Sequence, residues 1–122
     1  MAAALSTIAT FIQSLLTSAA VYIPVYSVPL TGATLSDDGN TYNKWLIIQP
    51  LGTIAALTVT FPSQGVAIDG QEIALNSTQT ITALTIVAAG STVIGANSGL
   101  STTTPIVFKY NQALNVWFRF GS

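Results

Sequence analysis

The chain has 122 residues, half of them hydrophobic and only 6% charged, with a formal net charge of −1. Three cations, no histidine and no cysteine leave no basic stripe for nucleic acid and no charged helix face for a membrane surface. They also remove imidazole, thiolate and disulfide chemistry. So thin a coat of charge suits a free monomer poorly and points to a subunit whose surface is covered in an assembly.

In chain order, the first stretch is MAAALSTIATFIQSLLTSAAVYI, which contains no ionisable side chain except Tyr22. A secretory signal would need a positive n-region, and the hydroxyls at Thr7, Thr10, Ser14, Thr17 and Ser18 interrupt any membrane span. With Leu5 at heptad position a, Ile12 and Ala19 recur at a, and Ile8, Leu15 and Tyr22 fall at d. Phe11 and Leu16 widen the stripe. This spacing predicts an amphipathic helix over about residues 4–22, stopped by Pro24. Leu5, Ile8, Phe11, Ile12, Leu15 and Leu16 form its partner-binding face. The Thr and β-branched content leaves a pair of strands as the alternative. Residues 22–35, with Pro24 and Pro29, read as an extended connector, and SDDGNTYN follows as a polar turn. The expected organisation is an arm over 1–34 and a domain over 35–122.

Within the domain, KWLIIQ, IAALTVTF, QEIAL, TITALTIVA, STVIGA, PIVFKY and VWFRF carry strand signatures between turn residues. Seven short strands at this spacing predict a mainly β fold, an antiparallel β-sandwich or jelly roll. Trp45, Leu57, Val59, Leu84, Ile86, Phe108 and Phe118 are its expected core. The last two strands form a hairpin around NQALN, with Val116, Phe118 and Phe120 on one face and Trp117 and Arg119 on the other. No internal repeat is evident.

No chemistry stands out. SDDGN lacks the alternating ligands and distant glutamate of a calcium loop. Asp69 and Glu72 are three apart, but Asp69-Gly70 is a turn dipeptide. The many hydroxyls have no positioned base. Asn76-Ser77-Thr78 is a glycosylation sequon without a secretory signal to give it meaning. The expectation is a non-enzymatic protein with no catalytic, metal or cofactor site.

Residues 54–120 nevertheless carry a pattern: Phe61-Pro62, Asp69-Gly70-Gln71, the Thr-rich run with Ile81, Leu84 and Ile86, and the closing Tyr110-Asn111 and Trp117-Phe118-Arg119. It resembles small β-domains in structural proteins of tailed bacteriophages, namely head decoration (cement) proteins and head- or tail-fibre proteins. The resemblance implies a virion protein on the capsid exterior, assembled in the host cytoplasm. Its implied partners are the major capsid protein and copies of itself, most simply in a trimer. A fibre or adhesin module is the alternative, with Trp45, Tyr42 and Tyr110 as candidates for meeting a host carbohydrate or protein.

Overall fold

The computed structural model describes residues 22–39 and 41–121. In chain order they form β1 (Ile23–Ser27), β2 (Ala33–Ser36), β3 (Lys44–Ile48), β4 (Ile54–Phe61) and β5 (Glu72–Ser77). These are followed by β6 (Ile81–Ala88), β7 (Thr92–Ile94), β8 (Ile106–Asn111) and β9 (Val116–Gly121). No helix occurs among the described residues. β1, β3 and β5 are parallel neighbours in one sheet, and β2, β4 and β6 are parallel neighbours in a second. The chain therefore winds through three turns, each giving one strand to each sheet, as a short parallel β-solenoid.

This corrects the antiparallel sandwich or jelly roll expected from the strand spacing. Short alternating strands separated by turns look the same whether each pairs with its sequence neighbour or with the strand one turn later. A parallel pair needs a long crossover, and here the crossover is a strand of the opposite sheet with its two loops. The connector is corrected too. Residues 23–36 are extended, but they pair with β3 and β4 and form the first turn of the domain. They are not a tether outside it. The expected helix and its stripe lie outside the described residues.

The register also exposes a repeat that the sequence hides. Ala33-Thr34-Leu35, Leu57-Thr58-Val59 and Leu84-Thr85-Ile86 stack directly on one another. The separations, 24 positions from residue 33 to 57 and 27 from 57 to 84, differ enough to defeat a fixed period. In every turn the central Thr faces out and its neighbours face in, as strand alternation requires.

The core lies between the sheets. Leu46, Ile48, Ile73 and Leu75 meet Leu57, Val59, Phe61 and Leu84, all buried. At the C-terminal end the solenoid is closed by a change to antiparallel pairing. β8 runs antiparallel to β5 and forms the expected hairpin with β9, while β7 lies parallel to β9 on its far side. On the other sheet, Ser98 and Leu100 bond to β6 through Leu84 N–H, Ile81 N–H and Leu100 N–H, each at 2.9 Å. A Cβ at Gly99 would stand 2.8 Å from the Ile81 carbonyl oxygen, so only glycine lets this cap approach. Asn115, in left-handed conformation with φ 56°, pins the hairpin turn to the loop after β6. Its Oδ1 accepts from Ser91 Oγ (2.6 Å) and the Tyr110 phenol (2.7 Å), and its Nδ2 donates to the Gly90 carbonyl (2.6 Å).

Of the expected core, Leu57, Val59, Leu84 and Phe108 are buried and Ile86 packs against them. Trp45 is 41% exposed and Phe120 65% exposed, while Phe118 is only half-buried. The hairpin's phase is the reverse of the one expected. Trp117 pairs with Tyr110 and faces inward, with ring centroids 5.0 Å from Phe61 and 5.1 Å from Tyr110. Alternation defines two faces of VWFRF without saying which is inside, and the outside of this sheet is itself apolar enough to take Phe118. Trp117→Ala should therefore cost about 3–5 kcal/mol in urea unfolding, with Phe120→Ala close to neutral. Trp117→Phe should cost markedly less than Trp117→Ala. It keeps a ring in the cluster and removes a buried Nε1–H that has no acceptor among the described residues.

Candidate functional surface

Of the carboxylates that sequence reasoning weighed as chemistry, Glu72 and Asp69 make structural contacts in separate places. Tyr22, Asn43 and Glu72 each immediately precede aligned residues in β1, β3 and β5, so they form a column at one corner of the solenoid. The Asn43 carbonyl accepts the Ile23 N–H (3.0 Å) and its side-chain Oδ1 accepts the Glu72 N–H (2.9 Å). Beside them, buried Gln71 donates to the Tyr42 carbonyl (2.8 Å) and accepts from the Ile68 N–H (3.0 Å). Asp69 does not act with Glu72. Its Oδ1 accepts the Gln112 N–H at 2.9 Å and braces the hairpin loop. Among the described residues no three His, Cys, Asp or Glu side chains stand together as a metal site would need.

The surface residues named for an adhesin do not converge. Trp45 lies on the outer face of β3 and donates through Nε1 to Asn76 Oδ1 on β5 (2.7 Å). Tyr42 sits at the corner loop, and Tyr110 is buried with its phenol bonded to Asn115. The arm residues Leu5, Ile8, Phe11, Ile12, Leu15 and Leu16 lie outside the described residues.

Two outer faces remain, with opposite character. The smaller sheet presents hydroxyls: Thr34, Thr58 and Thr85 form one row, and Ser36 and Thr60 begin the next. The larger sheet presents apolar and aromatic groups. Pro24, Trp45 and Ala74 align in one row, and Tyr26, Ile47 and Asn76 in another. At the far side Lys109 pairs with Phe118, and Phe118 with Ile94. Tyr26 is 65% exposed. At this end Asp69, Lys109, Asn111, Phe118 and Phe120 line a groove of about 280 Å³, with Lys109 Nζ 4.8 Å from the Phe120 ring centroid, within cation–π range. Sequence reasoning did not resolve this face, because it assigned Phe118 to the core and counted Trp45 both there and among the candidate contact residues. Comparison of the chain with protein-family models, with curated proteins and with solved structures gives no match.

Partial burial, reinforced by the charge and hydrogen bond of Glu72, raises the Tyr22 phenol above its ordinary value. The protonated phenol is the form that donates to Glu72. Its contribution is thus complete below the unfolded phenol value of about 10 and is lost as pH rises through the higher folded value. Tyr22→Phe should be less stable than the parent near neutral pH. That difference should begin to shrink as pH passes about 10 and be lost once pH exceeds the higher folded value, as read from urea midpoints measured across pH.

Proposed function

We propose that this chain is a non-enzymatic structural protein of a bacteriophage virion, a decoration protein that binds the major capsid protein on the head exterior. The observation that carries this reading is the outer face of the six-stranded sheet. Six strands at about 4.8 Å spacing span about 24 Å, and this face exposes Tyr26 and Trp45 with little charge around them. A standard protein interface removes about 1,600 Å² from water in total, centred on aromatic anchors with a polar rim. A solenoid sheet is a rigid platform for such a contact, so little ordering entropy opposes docking. Association with copies of itself, most simply as a trimer, would bring several faces to one shell and multiply weak contacts. The resemblance of residues 54–120 to phage β-domains supports the same assignment.

A second reading, a head- or tail-fibre module that meets a host surface, is favoured by the groove at Lys109 and Phe120. There an aromatic ring, a cation and the Asp69 carboxylate converge.

The test uses expanded heads of the virus that carries the gene, prepared without this subunit. The full chain should co-sediment with them and raise the temperature at which they burst. Tyr26→Asp with Trp45→Asp should abolish attachment, while a far-UV spectrum confirms the fold. Attachment undiminished in that variant would overturn the assignment of this face. Binding to host cells in place of heads, lost in Phe120→Ala, would decide for the fibre reading.

A further inference from the structure

The groove at the far end of the larger sheet is built from three segments. Phe118 and Phe120 lie two apart on β9, so both point to the outer face. Lys109 on β8 stands opposite Phe118, and its Nζ lies over the Phe120 ring. The turn before β5 supplies the other wall. Gly70, in left-handed conformation with φ 82°, donates its N–H to the Tyr110 carbonyl at 2.8 Å. That bond holds Asp69 beside β8. Asp69 Oδ1 accepts the Gln112 N–H (2.9 Å), and Asn111 Oδ1 accepts the Leu114 N–H (2.9 Å). Both side chains are thereby fixed. Asp69 Oδ2 and Asn111 Nδ2 have no hydrogen-bond partner among the described residues, and Lys109 has no ion pair among them.

We propose that this groove binds the terminal ring of a neutral hexose, with a C–H face of the sugar against Phe120 and two adjacent hydroxyls bridging Asp69 to Lys109 and Asn111. The donors and acceptors choose the ligand. A carboxylate only accepts, and the Lys109 ammonium and the Asn111 amide nitrogen only donate. A hydroxyl does both, so a vicinal pair gives one hydrogen to Asp69 and accepts from the groups opposite. One carboxylate and one ammonium cancel, so the local charge selects neither a sugar acid nor an amino sugar.

Shape agrees with this chemistry. Phe120 is 65% exposed and offers an apolar plate beside the polar groups, the combination that fixes and orients a small ligand. The groove volume of about 280 Å³ falls below the range of about 300–1,000 Å³ used by drug-sized ligands. It suits one ring better than an extended peptide. The inference rests on the fibre reading and deepens it, since it names the class of ligand that the groove would meet on a host surface. A single ring in an open groove is held weakly, and several copies on one particle would supply the avidity.

The full chain is titrated with the methyl pyranosides of glucose, galactose and mannose, and with methyl glucuronoside as the charged control, while backbone amide shifts are followed by NMR. At least one neutral glycoside should shift the amides of residues 69, 70 and 118–120 in a saturable way and leave β1 and β2 unmoved. Phe120→Ala and Asp69→Asn should each weaken that binding by about tenfold or more, and Tyr26→Asp should bind as the parent does. Asparagine at position 69 keeps the acceptor for the Gln112 N–H, so the loop stays braced. No saturable shift with any of the three neutral glycosides would overturn the proposal. So would binding that Phe120→Ala leaves intact, or binding of the glucuronoside alone. Attachment to host cells that is lost in Phe120→Ala, with no glycoside bound, would retire the hexose and keep the fibre reading. A glycoside bound in the groove without attachment to cells would keep the hexose and end the fibre reading.

Discussion

The domain depends on one constraint: successive turns must stack in register so that each inward column stays inward. The turns differ in length. Ile23 aligns with Lys44, and Lys44 with Ile73, so one turn of the larger sheet spans 21 positions and the next 29. A slip of a single residue would turn Leu46 and Ile48 outward and bring Trp45 and Ile47 in. Loops absorb the unequal lengths, and the strands do not move. The polar corner of Tyr22, Asn43 and Glu72 helps fix the register, because Asn43 bonds to backbone one turn away on either side and the Tyr22 phenol reaches the Glu72 carboxylate two turns on.

Parallel stacking leaves each terminal turn with open edges, and the two ends deal with them differently. The C-terminal end reverses direction. The hairpin of β8 and β9 covers one sheet, a glycine-dependent bridge covers the other, and Asn115 ties hairpin and loop together. The Phe61, Phe108, Tyr110 and Trp117 cluster lies under this closure, so packing is richest where the pairing pattern changes. The N-terminal end has no comparable reversal among the described residues. Its first turn exposes Ile23, Val25, Tyr26 and Val28.

A protein this poor in charge keeps its polar character in hydroxyls, and the fold segregates them. One outer face carries mainly threonine and serine, interrupted by exposed Val87, and the other is largely aromatic and aliphatic. Such division suits a subunit that works by contact, with one face wetted and the other covered. Two of the four carboxylates hold a corner and a loop. Glu72 is buried against Asn43, and Asp69 holds Gln112.

Alternation in IAALTVTF and TITALTIVA determined that these segments are strands, and the inward phase of Leu57, Val59 and Leu84 followed from it. Asp69-Gly70 and the loop around Asn111 to Asn115 marked turns for the same local reason: these residues accept backbone conformations others resist. The choice of partner for each strand was not local. Parallel or antiparallel pairing is decided by which segments lie one turn apart in space, and β3 meets β5 across a whole intervening strand of the other sheet. The phase of VWFRF was undetermined as well, since Phe118 and Trp117 are equally apolar. Only the meeting of Trp117 with Phe61 and Tyr110 sent it inward. The outer aromatic face was hidden for a related reason. A lone Trp45 in an apolar strand looks like core until a second sheet is seen to bury the opposite side.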